Sequence, residues 1–499
     1  MSPFGSLNVP AETKVALVGV SRDCFPRELT RDRRGVLAQA CEKAGVDVFL
    51  PKSILEGEWD IKQILEEVRQ ADCDAMAIYL GNFGPEGPLA LLAKRFGGPV
   101  MLCGAAEGDG DLINGRGDAF CGMLNASLAA QLHNLRVHLP KVPVGTPNQL
   151  AADIGHFAKV ARVVNAVRAL KVISFGPRPQ DFYACNAPIA PLYDLGIGVM
   201  ENSELDLLAA YQNVDDRELD VTQVIVDMVG ELGLQSNYDT QLFTKMARFE
   251  VALVRLWGAN KGAYSYAVFA NKCWPAFEKF FGFVPCFVNS RLASRGIPVA
   301  CEVDIYGAVS EYLVMLASDH PATLLDINNT VPRNVYDGQD LRGVNPEDLF
   351  MGFHCGNTPS CCMKNFDLKH QLIMHRLMET GHDPDITRGT LEGQIAPSQT
   401  TLFRLQANLS SRLMAYIAEG EILDIDPQSF GGIGVVGIHG FQRFYRNVLL
   451  EWGFPHHGAF GFQPCGRILF DALKLMGMSA IATPLTPNEQ YRLENPFGE

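Results

Sequence analysis

No run of basic residues occurs anywhere in this chain, and its formal net charge is −14. Gripping a nucleic acid or an anionic membrane takes a cationic face, so neither is expected as a partner. No apolar stretch approaches the roughly 20 residues needed to span a bilayer. The opening MSPFGSLNVPAETK has neither a basic start nor an apolar core, so no secretory signal is expected. No CxxC pair exists among the 13 cysteines, an odd number, and Cys41, Cys103, Cys273 and Cys301 fall inside apolar strand or helix patterns. That suits reduced core thiols in a cytoplasmic protein. Cys355, Cys361 and Cys362 do cluster in sequence, and a structural zinc site there is a minor alternative. GxGxxG is missing after the first apolar strand, which disfavours a dinucleotide site. Repeats of fixed period and low-complexity segments are also missing.

What is present is ordinary globular composition, 47% hydrophobic and 20% charged, over 499 residues. That is too long for one core. Residues 14–104 alternate strand and helix four times, with strands KVALVGV, VDVFLP, DAMAIYL and GPVMLCG and helical patterns at 27–44, 60–71 and 88–96. This predicts a doubly wound parallel sheet. Ser21-Arg22 and Asn82-Phe83-Gly84 close the first and third strands, where such a sheet meets ligands. Arg22 is equally readable as a solvated surface charge. A glycine-dense loop at 104–118 leads to a helix expected through about Leu139, and 140–147 reads as a linker. A second αβ region follows, with strands KVISFG, GIGVMEN and AYSYAVFA; Lys272 falls where the last passes into a helix. Beyond 350, TTLFRLQ and SSRLMAYIAEGEILDID alternate with period two around an expected turn at Glu419-Gly420, and helices are expected near 367–378 and 466–477. The resulting expectation is an α/β protein: a doubly wound domain over 1–145, a central αβ domain over 146–350, and a C-terminal antiparallel, barrel-like β domain over 351–499.

The central stretch is IPVACEVDIYGAVSEYLVMLASDHPATLLDINN, at 297–329. It reads as strand, helix, strand, with Glu302 ending the first strand and Asp326 the second. A single-helix crossover makes the strands parallel, which brings both carboxylates to the same end of one sheet. Two acids there repel unless a cation lies between them. The plainer reading is that Glu302 caps the helix and Asp326 opens a turn. The one adjacent histidine pair, His456-His457 in GFPHHGAFGF, sits in a glycine-bounded loop, and His354 in GFHCGNTPS is a further candidate ligand. Two carboxylates and an imidazole suit Mn²⁺ or Mg²⁺ better than structural zinc.

ACEVDIYGAVSEYLVML followed by LLDINN resembles the metal-binding core of the L-fucose isomerase and L-arabinose isomerase superfamily. There a Glu-x-Asp motif and an aspartate about two dozen residues later hold the metal. GFPHHGAFGF is similar to the family's Pro-Asn-His-Gly motif and places the metal histidine at His457. The resemblance implies an aldose–ketose isomerase working through a cis-enediol. Its metal would be Mn²⁺ (Mg²⁺ or Co²⁺ being alternatives), held by Glu302, Asp326 and His457, with the two acids moving a proton between C1 and C2. It also implies a homo-oligomer, a hexamer by resemblance, in which Arg22 reaches a neighbouring subunit's site. Asn82 or Phe83 falls where the family places an aromatic for the same purpose, and Lys272 falls near its substrate-contacting glutamine. His456 stands where the family has asparagine, and Lys272 adds a cation where the family is neutral. An ordinary neutral aldose is the favoured substrate, with a phosphorylated or sulfonated sugar read by Lys272 and Arg22 as the alternative. A sugar-binding protein without chemistry, and a metal-dependent aldolase or epimerase, are the competing functions.

Overall fold

The computed structural model describes residues 8–114, 116–235, 238–492 and 494–497. Contacts divide them into two units. One holds Asn8, Val9, Val167–Gly466 and the chain from Ser479 onward; the other holds Pro10–Ala166 and Arg467–Met478. No helix among the described residues is long and apolar enough to cross a membrane.

The second unit is built on strands β1 (Val15–Val20), β2 (Val48–Phe49), β3 (Ala75–Leu80), β4 (Val100–Ala105) and β5 (Val144–Gly145). They form an all-parallel sheet in the order β2-β1-β3-β4-β5. Every residue of β1, β3 and β4 is buried. Helices cover both faces of such a sheet, which is why these strands read as continuous apolar runs rather than alternating ones. The helix Ala119–Leu132 stops earlier than expected. Asn134 turns left-handed at φ 52°, Leu135 N closes back on Ala130 O at 2.8 Å, and the chain then returns to the sheet as the bridge Met101↔His138.

The other unit contains two sheets. Strands β6 (Leu170–Phe175), β7 (Gly198–Asn202), β8 (Tyr266–Ala270) and β9 (Val299–Ala300) make a parallel sheet in the order β7-β6-β8-β9. The larger sheet comprises β10 (Ala322–Thr330), β11 (Leu349–His354), β12 (Met363–His370), β13 (Arg388–Ile395), β14 (Ser398–Ala407), β15 (Leu413–Leu423), β16 (Gly432–Gly437), β17 (His457–Gly461) and β18 (Ile481–Ala482). Its order is β12-β13-β16-β11-β10-β17-β14-β15-β18, and β15 also pairs with β16. That extra pairing closes β16-β11-β10-β17-β14-β15 into a ring of antiparallel neighbours. The expected α/β class with a C-terminal barrel is therefore what the chain adopts, although β13–β16 and β15–β18 are parallel and make the full sheet mixed.

Three local expectations are corrected. First, β9 and β10 are not neighbours in one sheet; they belong to different sheets. The helix between them, Ile305–Ser318, is buried at every position. A helix buried all round needs cover on all sides; it packs chiefly against β17, β14 and β10, and also against β8 and β9. Its outgoing strand then joins the barrel. Second, no turn occurs at Glu419-Gly420, because β15 runs through both residues. Gly420 serves close approach instead: a Cβ there would lie 2.3 Å from Gly437 O. The turn comes earlier, where Asn408 Oδ1 accepts the amides of Ser410 and Arg412, each at 3.0 Å. Third, the segment expected as a helix near 367–378 begins as β12, which lies along the sheet edge against β13.

A helix packs over the loop that follows β3. In Ala119–Leu132, a Cβ on Gly122 would stand 2.1 Å from Phe83 O, and backbone cannot yield as a flexible side chain can. Gly122→Ala gains up to ~1 kcal/mol of helix propensity, against roughly 1–3 kcal/mol for overpacking. The expected outcome is net destabilisation, measured as a lower urea midpoint.

Candidate active site

The chain leaves β9 through a left-handed turn. Glu302 has φ 59° and Val303 φ 56°. Such angles are costly for a β-branched residue, of order 1–3 kcal/mol, and persist only where surrounding contacts impose them. Here Val303 N donates to Asn271 O at 2.8 Å, and Asp304 immediately caps the helix, accepting Gly307 N at 2.8 Å. Asp304 is thus the cap, and Glu302 is left free to face a cavity.

Asp326 and His457 are direct register partners across the antiparallel pair β10–β17. Opposed residues of such a pair send their side chains to the same face, and His457 Nε2 lies 3.3 Å from Asp326 Oδ1 and 3.7 Å from Glu302 Oε2. His456 Nε2 lies 3.6 Å from Glu302 Oε2 and 3.5 Å from Asp326 Oδ1. The buried His354, at the end of β11, stacks over the His457 ring with centroids 5.7 Å apart. Glu302, Asp326, His354 and His456 line a cavity of about 490 Å³ walled by Phe182 and Trp274.

Behind His457 is a fully buried polar chain. Its Nδ1 donates to Asp304 Oδ2 at 2.8 Å, and Arg404 grips both oxygens of Asp304 at 2.6 and 2.9 Å. Arg404 in turn donates to Gln406 Oε1 at 2.8 Å. Burial would raise the Asp304 pKa, but Arg404 and His457 hold it far below the carboxylate range. Burial likewise disfavours charge on His457, yet Asp304, Asp326 and Cys185 outweigh it and raise this pKa well above the usual value. Burial pushes the Cys185 thiol up to about 12, so it stays protonated as a weak donor to Glu302 Oε2 at 3.8 Å. Asp326 is pulled below its ordinary value: the neighbouring histidines overcome the effect of burial.

Two atoms show that this donor set suits a divalent cation. His457 Nε2 and Asp326 Oδ1 are both buried, and neither has a hydrogen-bond partner. The bond from Nδ1 to Asp304 aims Nε2 at the carboxylates, as a ligand histidine is commonly oriented. Glu302, His456 and His457 offer donor atoms within 4.8 Å of one another, as do Asp326, His354 and His457. Carboxylate oxygens with imidazole nitrogens match Mn²⁺-class ions rather than a thiolate zinc site.

The family description "Fucose/sulfoquinovose isomerase, N-terminal domain" matches residues 16–168, and "L-fucose isomerase, C-terminal domain" matches residues 352–482. The chain belongs to the fucose/sulfoquinovose isomerase family. Similar proteins include a sulfoquinovose isomerase from Alkalicoccus urumqiensis, 26% identical over 63% of this chain and 66% of the relative. Another, from Clostridium sp. (strain MSTE9), is 24% identical over 58% of this chain and 60% of the relative. A third, from Priestia aryabhattai, is 22% identical over 60% and 66%. The matches therefore span slightly less than two thirds of these relatives' lengths. A solved periplasmic solute-binding protein from Actinobacillus succinogenes 130z, with bound D-allose, aligns at 11% identity over 54% of this chain and 81% of that one. Its TM-score of 0.16 is too low to inform the fold.

Of the residues singled out in the sequence, the structure brings together Glu302, Asp326, His354, His456 and His457. Arg22, Asn82 and Phe83 form a separate group in the unit of the parallel five-stranded sheet. Asn82 Oδ1 accepts Arg22 N at 3.0 Å, and the Arg22 guanidinium lies 4.6 Å over the Phe83 ring while bonding Gly84 O and Glu86. Lys272 does not line the cavity; its Nζ donates to Pro177 O at 2.8 Å and pairs with Glu204 at 3.1 Å. Cys361 and Cys362 lie together without a histidine or carboxylate completing a cluster among the described residues. Sequence reasoning missed Arg404 as a functional residue, although an arginine amid the apolar alternation of TTLFRLQ was its signal. Cys185 and Glu311 carried no such mark.

Glu311, on the buried helix, is 2% exposed, and its Oε2 has no partner. Burial raises its pKa from 4.5 to about 8, with His457 opposing. Between those values the unfolded chain has lost this proton while the folded chain keeps it. Stability of the metal-free protein should therefore fall as pH rises through that window, with a slope approaching about 1.4 kcal/mol per pH unit from this group. Glu311→Gln should remove that slope, so that the variant gains on the parent from pH 5 to pH 8 in denaturant titrations.

Proposed function

We propose that this chain is a divalent-metal-dependent aldose–ketose isomerase acting on an anionic, sulfonated sugar. The observation that carries the reaction type is the meeting of Glu302 and Asp326, which line the cavity, with the fully buried His457, whose Nε2, like Asp326 Oδ1, lacks a partner. When bound, a Mn²⁺-class ion there supplies a Lewis acid that polarises the substrate's carbonyl and hydroxyl oxygens. The remaining work falls to the chain. The Arg404–Asp304–His457 series orients the ligand imidazole. A floor carboxylate takes the proton from C2 of the open-chain aldose and returns it to C1 through a cis-enediol, while the hydroxyl proton on O2 passes to O1. His354 and His456 line the same floor, within reach of the substrate's hydroxyl oxygens.

The sulfonated substrate is favoured over a neutral aldose by the sulfoquinovose isomerase names of the relatives. No lysine or arginine lines the cavity among the described residues, so the charge reader within one copy is not Lys272. A neighbouring copy supplying Arg22 answers that need. An apolar stripe on the helix Ala119–Leu132 supports assembly: Phe120, Leu124, Leu128 and Leu132, one turn apart, are 76, 69, 55 and 77% exposed.

Incubation with Mn²⁺ and sulfoquinovose in deuterated water is expected to give the ketose with deuterium at C1, and aldose re-formed from it with deuterium at C2. Shorter carbon products would indicate an aldolase, and unchanged sugar a binding protein. Chelation should abolish turnover. Glu302→Gln and Asp326→Asn should each lower kcat by at least ~10²-fold, and near-parental turnover of either variant would remove that residue from the acid–base pair.

The assembly is tested by mixing. Inactive Glu302→Gln and inactive Arg22→Ala subunits, dissociated and reassociated together, should recover part of the parental activity. Verified mixed oligomers without activity would count against a site shared between copies.

A further inference from the structure

The unit of the parallel five-stranded sheet holds a second meeting of ligand-type side chains. His138 is fixed to the sheet: its amide donates to Val100 O at 2.8 Å, and its carbonyl accepts Leu102 N at 3.1 Å. Its ring is 6% exposed and stacks on Phe157 with centroids 5.4 Å apart. Its Nε2 is buried and has no hydrogen-bond partner. An unpaired buried polar atom costs about 1–3 kcal/mol and calls for an explanation. Beside it, His156 from the helix Pro147–Arg168 meets Asp471 from the helix Gly466–Leu475, with Nε2 and Oδ2 2.7 Å apart. The donor atoms of His138, His156 and Asp471 all lie within 4.8 Å of one another. His138 and Asp471 also line a cavity of about 290 Å³.

We propose that His138, His156 and Asp471 form a second metal site, of zinc class, with one coordination position open to this cavity. Two imidazoles and one carboxylate are a borderline, nitrogen-rich donor set. Such a set selects Zn²⁺ or Co²⁺ over the harder Mn²⁺ and Mg²⁺. The carboxylate now shared with His156 becomes a ligand, and the unpaired His138 nitrogen gains the partner it lacks. The three ligands come from a sheet-edge bridge, a long helix and a helix more than 300 residues later in the chain. A metal there therefore ties the late helix to the early one and stabilises by closing a long loop. Arg467, in the late helix's first turn, is paired with Asp153 at 3.5 Å; Lys474, in its last turn, borders the cavity. The cavity onto which that position opens is bordered by Arg136 and Lys474, which suits an anionic fourth ligand such as hydroxide or chloride.

The test uses the full chain, stripped of metal and titrated with Zn²⁺ by calorimetry and with Co²⁺ by visible absorption. A background carrying Glu302→Gln, Asp326→Asn and His457→Gln removes the three ligands assigned to the first centre. The expected result in that background is one equivalent of Zn²⁺, a four-coordinate Co²⁺ spectrum and a raised Tm. Adding His138→Gln or Asp471→Asn should weaken Zn²⁺ binding at least about tenfold and remove the Tm shift. Unchanged affinity in both, with folding verified by circular dichroism, would overturn the site and leave the cavity as a water pocket. If neither variant folds, the background chain lacking the first centre's three ligands decides alone: no bound equivalent, or a six-coordinate Co²⁺ spectrum, overturns the proposal. Binding here is read without turnover, so it stands or falls independently of the isomerase reading.

Discussion

The geometry of the candidate active site hangs on one buried ion pair. Arg404 and Asp304 are 0 and 1% exposed, and together they close a set of hydrogen bonds from β14 through the helix cap to the His457 ring. Removing one partner of such a pair typically costs about 3–5 kcal/mol, because the other charge is stranded in a low-dielectric interior. Here the same loss would also release His457, whose free nitrogen is useful only while the ring is held. Stability and ligand orientation therefore rest on the same four oxygen–nitrogen contacts.

The local strain at Glu302 and Val303 follows from this arrangement. Asp304 reaches both Arg404 and the first amides of its helix, while Val303 N is held by Asn271 O, and these contacts fix the turn that leaves β9. The left-handed turn turns Glu302 toward the cavity. Burial along the whole of Ile305–Ser318, and the closed barrel beyond it, are what keep that conformation in place. Asp326 arrives by a different route, as a strand residue in register with His457, and needs no strain.

Much of this was legible in the chain. Continuous apolar runs announced the parallel strands, because strands covered on both faces have no polar side to show. Glu302, Asp326 and His457 stood out since acids and an HisHis step interrupt apolar patterns at the ends of elements. Gly420 misled, because glycine serves close strand approach as readily as a turn. The segment near 367–378 misled because an edge strand followed by irregular chain has no clear period.

By itself, the sequence determined the α/β class, most of the strands and helices, and the family, since local propensity and residue chemistry are written one position at a time. Tertiary structure alone decided that β9 and β10 lie in different sheets, that Arg404 and Asp304 hold the His457 ring, and that Lys272 turns to Glu204 instead of the cavity. It also decided that His138, His156 and Asp471 meet. Each of these depends on which separate segments share a buried space, and periodicity along the chain carries no record of a partner in another element.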